Sequence, residues 1–122
     1  MKADRELDAR IAEEVMGWKV NYDNWTVEKP HDERPNTFWQ VPLTVGWGAW
    51  KPSAPDGIAD AWLVVEKLGK LTGKDVLVEH CADGERLCTL GWHYRGIWMK
   101  DIQEKADTAP LAICLVALEA VK

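Results

Sequence analysis

The stretch Thr108–Val121, TAPLAICLVALEAV, holds a single charged side chain, Glu119. Leu111, Cys114, Leu115, Leu118 and Val121 recur at helical spacing, while Ile113, Val116 and Ala117 fill most of the remaining circumference. Thr108 is placed to cap the helix, and Pro110 suits a first turn whose N–H groups lack helical partners. A helix apolar nearly all round must be covered on more than one side, so the rest of this 122-residue chain has to be arranged about it. A single domain spanning 1–122 is expected, burying roughly two-thirds of the surface its unfolded chain exposes. In so short a chain the second side of this helix is expected to be buried in a homo-oligomer, through Leu111, Leu115 and Leu118.

Two further helices follow from periodicity. Leu7, Ile11 and Val15 make the stripe of a helix over Asp4–Met16, with Gly17 placed to stop it. Glu6, Arg10 and Glu14 lie four apart on the opposite face and read as a solvated face, with a basic protein partner as the alternative. Ile58, Ala61, Trp62, Val65 and Leu68 make a second stripe, in a helix that starts near Ser53–Asp56 with a Ser-x-x-Asp cap and ends at Gly69 or Gly73. Trp62, like Trp18 and Trp92, is expected in the core.

The strands are less regular. Asp83-Gly84 is the strongest turn signal in the chain. A two-residue turn there sets Ala82 opposite Glu85, His80 opposite Leu87 and Leu77 opposite Leu90. One face then carries Val76, Val78, His80, Leu87 and Thr89; the other carries Leu77, Glu79, Cys81, Cys88, Leu90 and Trp92. Gly91 and Gly96 permit a bulge or second turn before Ile97. Trp18–Val27 reads as a short strand interrupted at Asp23-Asn24, Lys29–Pro35 as a loop, and Val41–Val45 as short edge strands limited by Pro42. The fold class is α+β, with three helices packed on a small, mainly antiparallel sheet, an αβα sandwich-like arrangement.

Charge and composition remove several function classes. With 15 basic and 20 acidic side chains the chain is mildly acidic, which argues against a groove for duplex nucleic acid. The first twenty residues are too charged for the apolar core of a signal peptide, and the longest uncharged run, Asn36–Trp50, is too short and broken to span a membrane; a cytoplasmic location in the host cell is expected. Cys81, Cys88 and Cys114 are expected to be free thiols. His80, Cys81, Cys88 and His93 carry the atom types for zinc, but at a spacing foreign to zinc sites, so no metal and no cofactor is expected. His80, His93, Asp83 and Glu85 offer acid–base groups without any recognisable catalytic motif, and no catalytic residue is assigned.

LDARIAEEVMGW (Leu7–Trp18), IADAWLVVEKL (Ile58–Leu68) and ADTAPLAICLVALEAV (Ala106–Val121), in that order, resemble the small phage-encoded proteins of the phage α–β–α sandwich domain family. The resemblance implies a phage or prophage accessory protein. The family's Ser-Thr-Asp type start before the middle helix is replaced here by Pro55-Asp56-Gly57, so no hydroxyl role carries over to that position. Small phage proteins of this kind often counter host defence, some by holding nucleotide signals.

Eight tryptophans are the main compositional anomaly. Trp39, Trp47 and Trp50 lie in a Gly/Pro-rich segment where flat faces suit stacking on a base, while Lys51 and Ser53, next to a helix start, suit a phosphate. These five are the candidate ligand-binding residues for a small anionic, nucleotide-like ligand. The competing reading is a loop pinned to the core by its own tryptophans. The expected function is non-enzymatic sequestration of a nucleotide signal in antagonism of host defence; the alternatives are a protein–protein inhibitor of a host factor and, behind it, a nucleotide hydrolase.

Overall fold

The computed structural model describes residues 3–31, 33–34 and 36–122. At its centre is α3, Ala109–Ala120, capped by Thr108, whose Oγ1 accepts from Leu111 N at 3.3 Å. Pro110 through Cys114 and Val116 through Leu118 are buried, because α3 packs on the second helix, on two strands and on the end of the first helix. One chain thus covers both sides of α3, and burying its second side requires no second copy. The oligomer expectation loses the argument that raised it.

The first helix is α1, Arg5–Arg10, which continues as a π-helical turn over Ile11–Val15. Asp4 caps it by accepting from Leu7 N at 2.8 Å, and Gly17 leaves it at φ +74°. Of the polar face, Arg10 and Glu14 form an exposed i,i+4 ion pair at 3.0 Å. The second helix, α2, runs Ile58–Thr72 and ends at Gly73 in the left-handed region.

The start of α2 departs from expectation. Its N-cap is Gly57, without a side-chain bond, so the Ser-x-x-Asp cap does not form. Ser53 is drawn instead into the core. A Cβ on Gly57 would lie 1.8 Å from the Lys51 carbonyl oxygen, so close approach of the preceding turn requires glycine there. The buried stripe is Ala61, Val64 and Leu68, and Trp62 is 50% exposed, which overturns its core assignment. The stripe is rotated by a fraction of a turn toward α3, and small Ala61 rather than Trp62 permits the close approach.

Among the described residues six strands form two antiparallel sheets rather than one. The first comprises β1 (Val20–Asn21), β2 (Thr26–Pro30) and β3 (Phe38–Pro42) in that order. The break at Asp23-Asn24 becomes the β1–β2 turn. β2 extends through Pro30 into the expected loop, of which Asp32 and Pro35 lie outside the described residues; β3 starts three residues before the expected Val41–Val45 strands and overlaps them at Val41 and Pro42, leaving Leu43 in a lone bridge to Trp50. The second sheet comprises β4 (Asp75–His80), β5 (Arg86–Tyr94) and β6 (Ile97–Ala106), in order β4-β5-β6.

The β4–β5 register is one residue off expectation: His80 pairs with Arg86, Leu77 with Thr89 and Val76 with Leu90. Cys81 N donates to Glu85 O at 2.9 Å and Gly84 N to Cys81 O at 3.0 Å, so Ala82-Asp83-Gly84 is a three-residue loop with Gly84 at φ +91°. A single added turn residue exchanges the faces of β5. Cys88 and Leu90 therefore join Val76, Val78 and Ile102 on the side packed into the core, and Thr89 turns to Gln103, whose Nε2 donates to it at 2.9 Å. β5 turns into β6 at Arg95-Gly96, both with positive φ. A bulge at Asp101 shifts the β5–β6 register, and a Cβ on Gly91 beside it would meet Met99 O at 2.2 Å. Beyond this bulge Trp92 is 38% exposed, which corrects its core assignment.

Candidate functional site

The five candidate residues separate into two places. Trp50 and Ser53 belong to a buried junction between α1 and the segment that precedes α2. Asp8 is fully buried there, and its Oδ1 accepts from Ser53 N at 2.9 Å and Ser53 Oγ at 2.6 Å, while Oδ2 accepts from Thr44 Oγ1 at 2.5 Å. Burial pushes the Asp8 carboxyl above its ordinary range, against the hydrogen bonds from Ser53 and Thr44 that lower it. The indole Nε1 of fully buried Trp50 donates to the Asp8 carbonyl at 3.2 Å, and its ring meets Trp18 edge-on at 4.6 Å. Neither Trp50 nor Ser53 presents a face to a ligand.

Asp8 was missed by pattern reading. At about 100° per residue it falls between Val15 and Ala12 inside the apolar arc of the first helix; a carboxylate in that arc is the signal that marks it. Its bonds secure a loop with positive φ at Thr44 (+68°), Gly46 (+124°) and Gly48 (+70°). At the tip of that loop Trp47 is 96% exposed.

Lys51 is engaged by its neighbours. Its backbone N–H donates to Asp60 Oδ2 at 3.0 Å and its ammonium pairs with Asp56 at 2.7 Å, which draws the Asp56 carboxyl below its usual range. Lys29 pairs with Asp60 at 3.8 Å and lies over the Trp50 ring. Both cations that flank the predicted phosphate position are thereby neutralised.

Trp39 is in a different setting. It is 52% exposed near the end of the β2–β3 hairpin, stacked on His31 with ring centroids 4.8 Å apart and planes 26° from parallel. With Arg34, Phe38 and Gln40 these rings line an open concavity of about 450 Å³. The hairpin holds its shape through His31 N donating to Thr37 O at 2.8 Å and Thr37 N to Arg34 O at 3.2 Å. His31 Nδ1 accepts from Glu33 N at 3.1 Å, which leaves Nε2 as the proton-bearing nitrogen. Phe38, 56% exposed, precedes Trp39 on β3 and turns to the opposite face of the hairpin, and no ion pair is formed by Arg34 among the described residues. Chemically this is a place for a flat ring and a negative charge.

Elsewhere the chemistry is quiet. Cys81, Cys88 and Cys114 are free thiols; burial pushes Cys88 up to about 12 and Cys114 well above its ordinary value, so neither is a thiolate nucleophile. His93 faces Asp75 at 3.6 Å on the surface of the second sheet. Among the described residues no group of three His, Cys, Asp or Glu side chains is arranged to hold a metal ion, and no helix is long and apolar enough to cross a membrane.

A family model described as Phage ABA sandwich domain matches residues 9–118. No curated protein and no solved structure matches the chain.

Proposed function

Because the chain belongs to the Phage ABA sandwich domain family, we propose that it is a non-catalytic phage accessory protein that holds a small anionic, nucleotide-like ligand at the β2–β3 hairpin. The observation that carries this reading is the half-exposed Trp39–His31 stack in a concavity that Arg34 also lines. Stacking on such faces is worth about 1–3 kcal/mol per base and tolerates any base. An Arg supplies the planar, permanently charged group that phosphate oxygens match best. Of Trp39, Trp47, Trp50, Lys51 and Ser53, Trp39 lines this concavity. Trp47 stays a free surface tryptophan outside the concavity, and Trp50, Lys51 and Ser53 serve the fold.

In a phage setting the use of such a site is to withhold a host nucleotide signal and so antagonise defence. The experiment is equilibrium binding of a panel of 5′-nucleotides to the purified chain, followed by denaturation and analysis of what is released. Intact nucleotide means sequestration and altered nucleotide means an enzyme. No binding across the panel removes the reading and leaves a protein partner. Host range with and without the gene tests the antagonism itself.

A further inference from the structure

The second sheet ends in a bare ribbon. β4 pairs with β5 only as far as Asp75 opposite Gly91, so Trp92–Tyr94 and Ile97–Met99 run on past it as two strands. They are joined by the tight turn Arg95-Gly96, with φ of +51° and +80°. Trp92 pairs with Met99 and Tyr94 with Ile97, which puts these four side chains on one face. By alternation along β5 it is the same face that carries Cys88 and Leu90 into the core. On the ribbon that face has nothing to cover it: Tyr94 is 56% and Ile97 63% exposed, and Trp92 and Met99 are each more than a third exposed. The two rings are held in place nonetheless, since Lys74 Nζ lies 5.2 Å from the centre of Trp92 and the Arg95 guanidinium 5.3 Å from that of Tyr94.

What covers this face must be flat, apolar and short. The same ribbon of a second copy meets all three conditions, and two such faces pack about 10 Å apart. Charge favours the same occupant. Gly91–Lys100 holds two of the chain's 15 basic side chains, Arg95 and Lys100, and none of its 20 acidic ones. Neither cation forms an ion pair among the described residues. A cationic ribbon on an acidic body is complementary to another copy of itself, provided the ribbons cross with their tips at opposite ends. Each Arg95 then lies against the body of the other subunit and away from its own counterpart. The four side chains offer on the order of 450 Å² per copy, against about 800 Å² per partner in a standard interface. An interface of that size belongs to a weak dimer in exchange with its monomer.

We propose that the Trp92, Tyr94, Ile97 and Met99 face of the β5–β6 ribbon is the contact of a two-fold symmetric dimer, each ribbon covering the other. The dimer is built through the ribbon and not through α3, and it is independent of any ligand at the β2–β3 hairpin. The test is sedimentation velocity of the full chain from about 5 to 500 µM, a range that spans weak association. The mass should rise from one copy toward two. Ile97→Glu buries a carboxylate in each half of the contact and should move the midpoint at least about tenfold higher in concentration. Tyr94→Ser, on the neighbouring strand, should weaken association in the same direction without adding a charge. Both positions are exposed, so circular dichroism and thermal unfolding should match the wild type. Trp47→Glu, on an exposed loop elsewhere, should leave the midpoint in place. A monomer at every concentration overturns the dimer, as does association that Ile97→Glu and Tyr94→Ser leave unchanged or that Trp47→Glu removes. A chain that stays monomeric yet sediments with vesicles of equal phosphatidylcholine and phosphatidylglycerol also overturns it, and assigns the face to a lipid surface.

Discussion

The Asp8 junction and the β2–β3 hairpin are both polar and aromatic, yet they put the same residue types to opposite uses. At the junction every polar atom is answered from within the chain: Ser53 and Thr44 meet the Asp8 carboxylate and the Trp50 indole meets its carbonyl. At the hairpin a tryptophan is stacked on His31 and stands half in solvent beside Arg34, which forms no ion pair among the described residues. Local composition does not separate a tryptophan that pins a loop from one that receives a ligand. What separates them is whether the surrounding hydrogen bonds and ion pairs already close.

That contrast is broken most sharply by mutating its buried side. Trp50→Ala should cost about 3–5 kcal/mol, since the ring is fully buried and its loss leaves a cavity; chemical denaturation showing under 1 kcal/mol would mean the loop is not anchored there. Asp8→Ala strands three donors in the core and should cost about 3 kcal/mol, measured the same way.

The ionisation of Asp8 gives this a pH signature. Its folded value lies above the unfolded 3.8, so the native state binds the proton more tightly and the contribution of Asp8 to stability is greatest in acid. That contribution falls as pH rises from 3.8 through the folded value. Subtracting the denaturation curve of Asp8→Asn from that of the wild type across this window should reveal the fall; a flat difference would show that burial does not govern this carboxyl.

On the open side the effects on stability shrink while those on binding grow. Trp62→Ala, half exposed, should cost only about 1 kcal/mol, against 3–5 for a buried ring. Trp39→Ala and Arg34→Ala should each change stability by about 0.5 kcal/mol or less while weakening nucleotide binding about tenfold, read by titration calorimetry. Loss of folding in either variant would move the hairpin into the same class as the junction.

The helices were the legible part of the sequence. Periodicity located α1, α2 and α3 because burial along a helix leaves a repeat in the chain, and the Thr108 cap and Gly73 stop are local signals of the kind propensity reads. The three segments that carried the family resemblance are those helices, and the matched range 9–118 holds nearly all of them. The errors came where geometry turns on one residue. A three-residue loop instead of two exchanged the faces of β5, and a small rotation of α2 brought Val64 inward beside the expected Ala61 and Leu68 and left Trp62 outside. Of the five residues expected to bind a ligand, Trp39 alone lines the hairpin concavity; His31 and Arg34 come beside it only through the pairing of β2 with β3, a contact no local pattern contains. Trp50 and Ser53 were drawn away by Asp8, a partner more than forty positions earlier in the chain.

The bulge at Asp101 governs how the chain behaves in a crowd. β6 forms the outer edge of its sheet for ten residues, the kind of edge on which another chain can add a strand. By kinking that edge midway, with Lys100 beside the kink and Asp101 tied back to Lys74, the bulge denies a straight run of backbone groups to any approaching strand. An edge that refuses a straight partner disfavours growth of this sheet, copy upon copy, into fibrils.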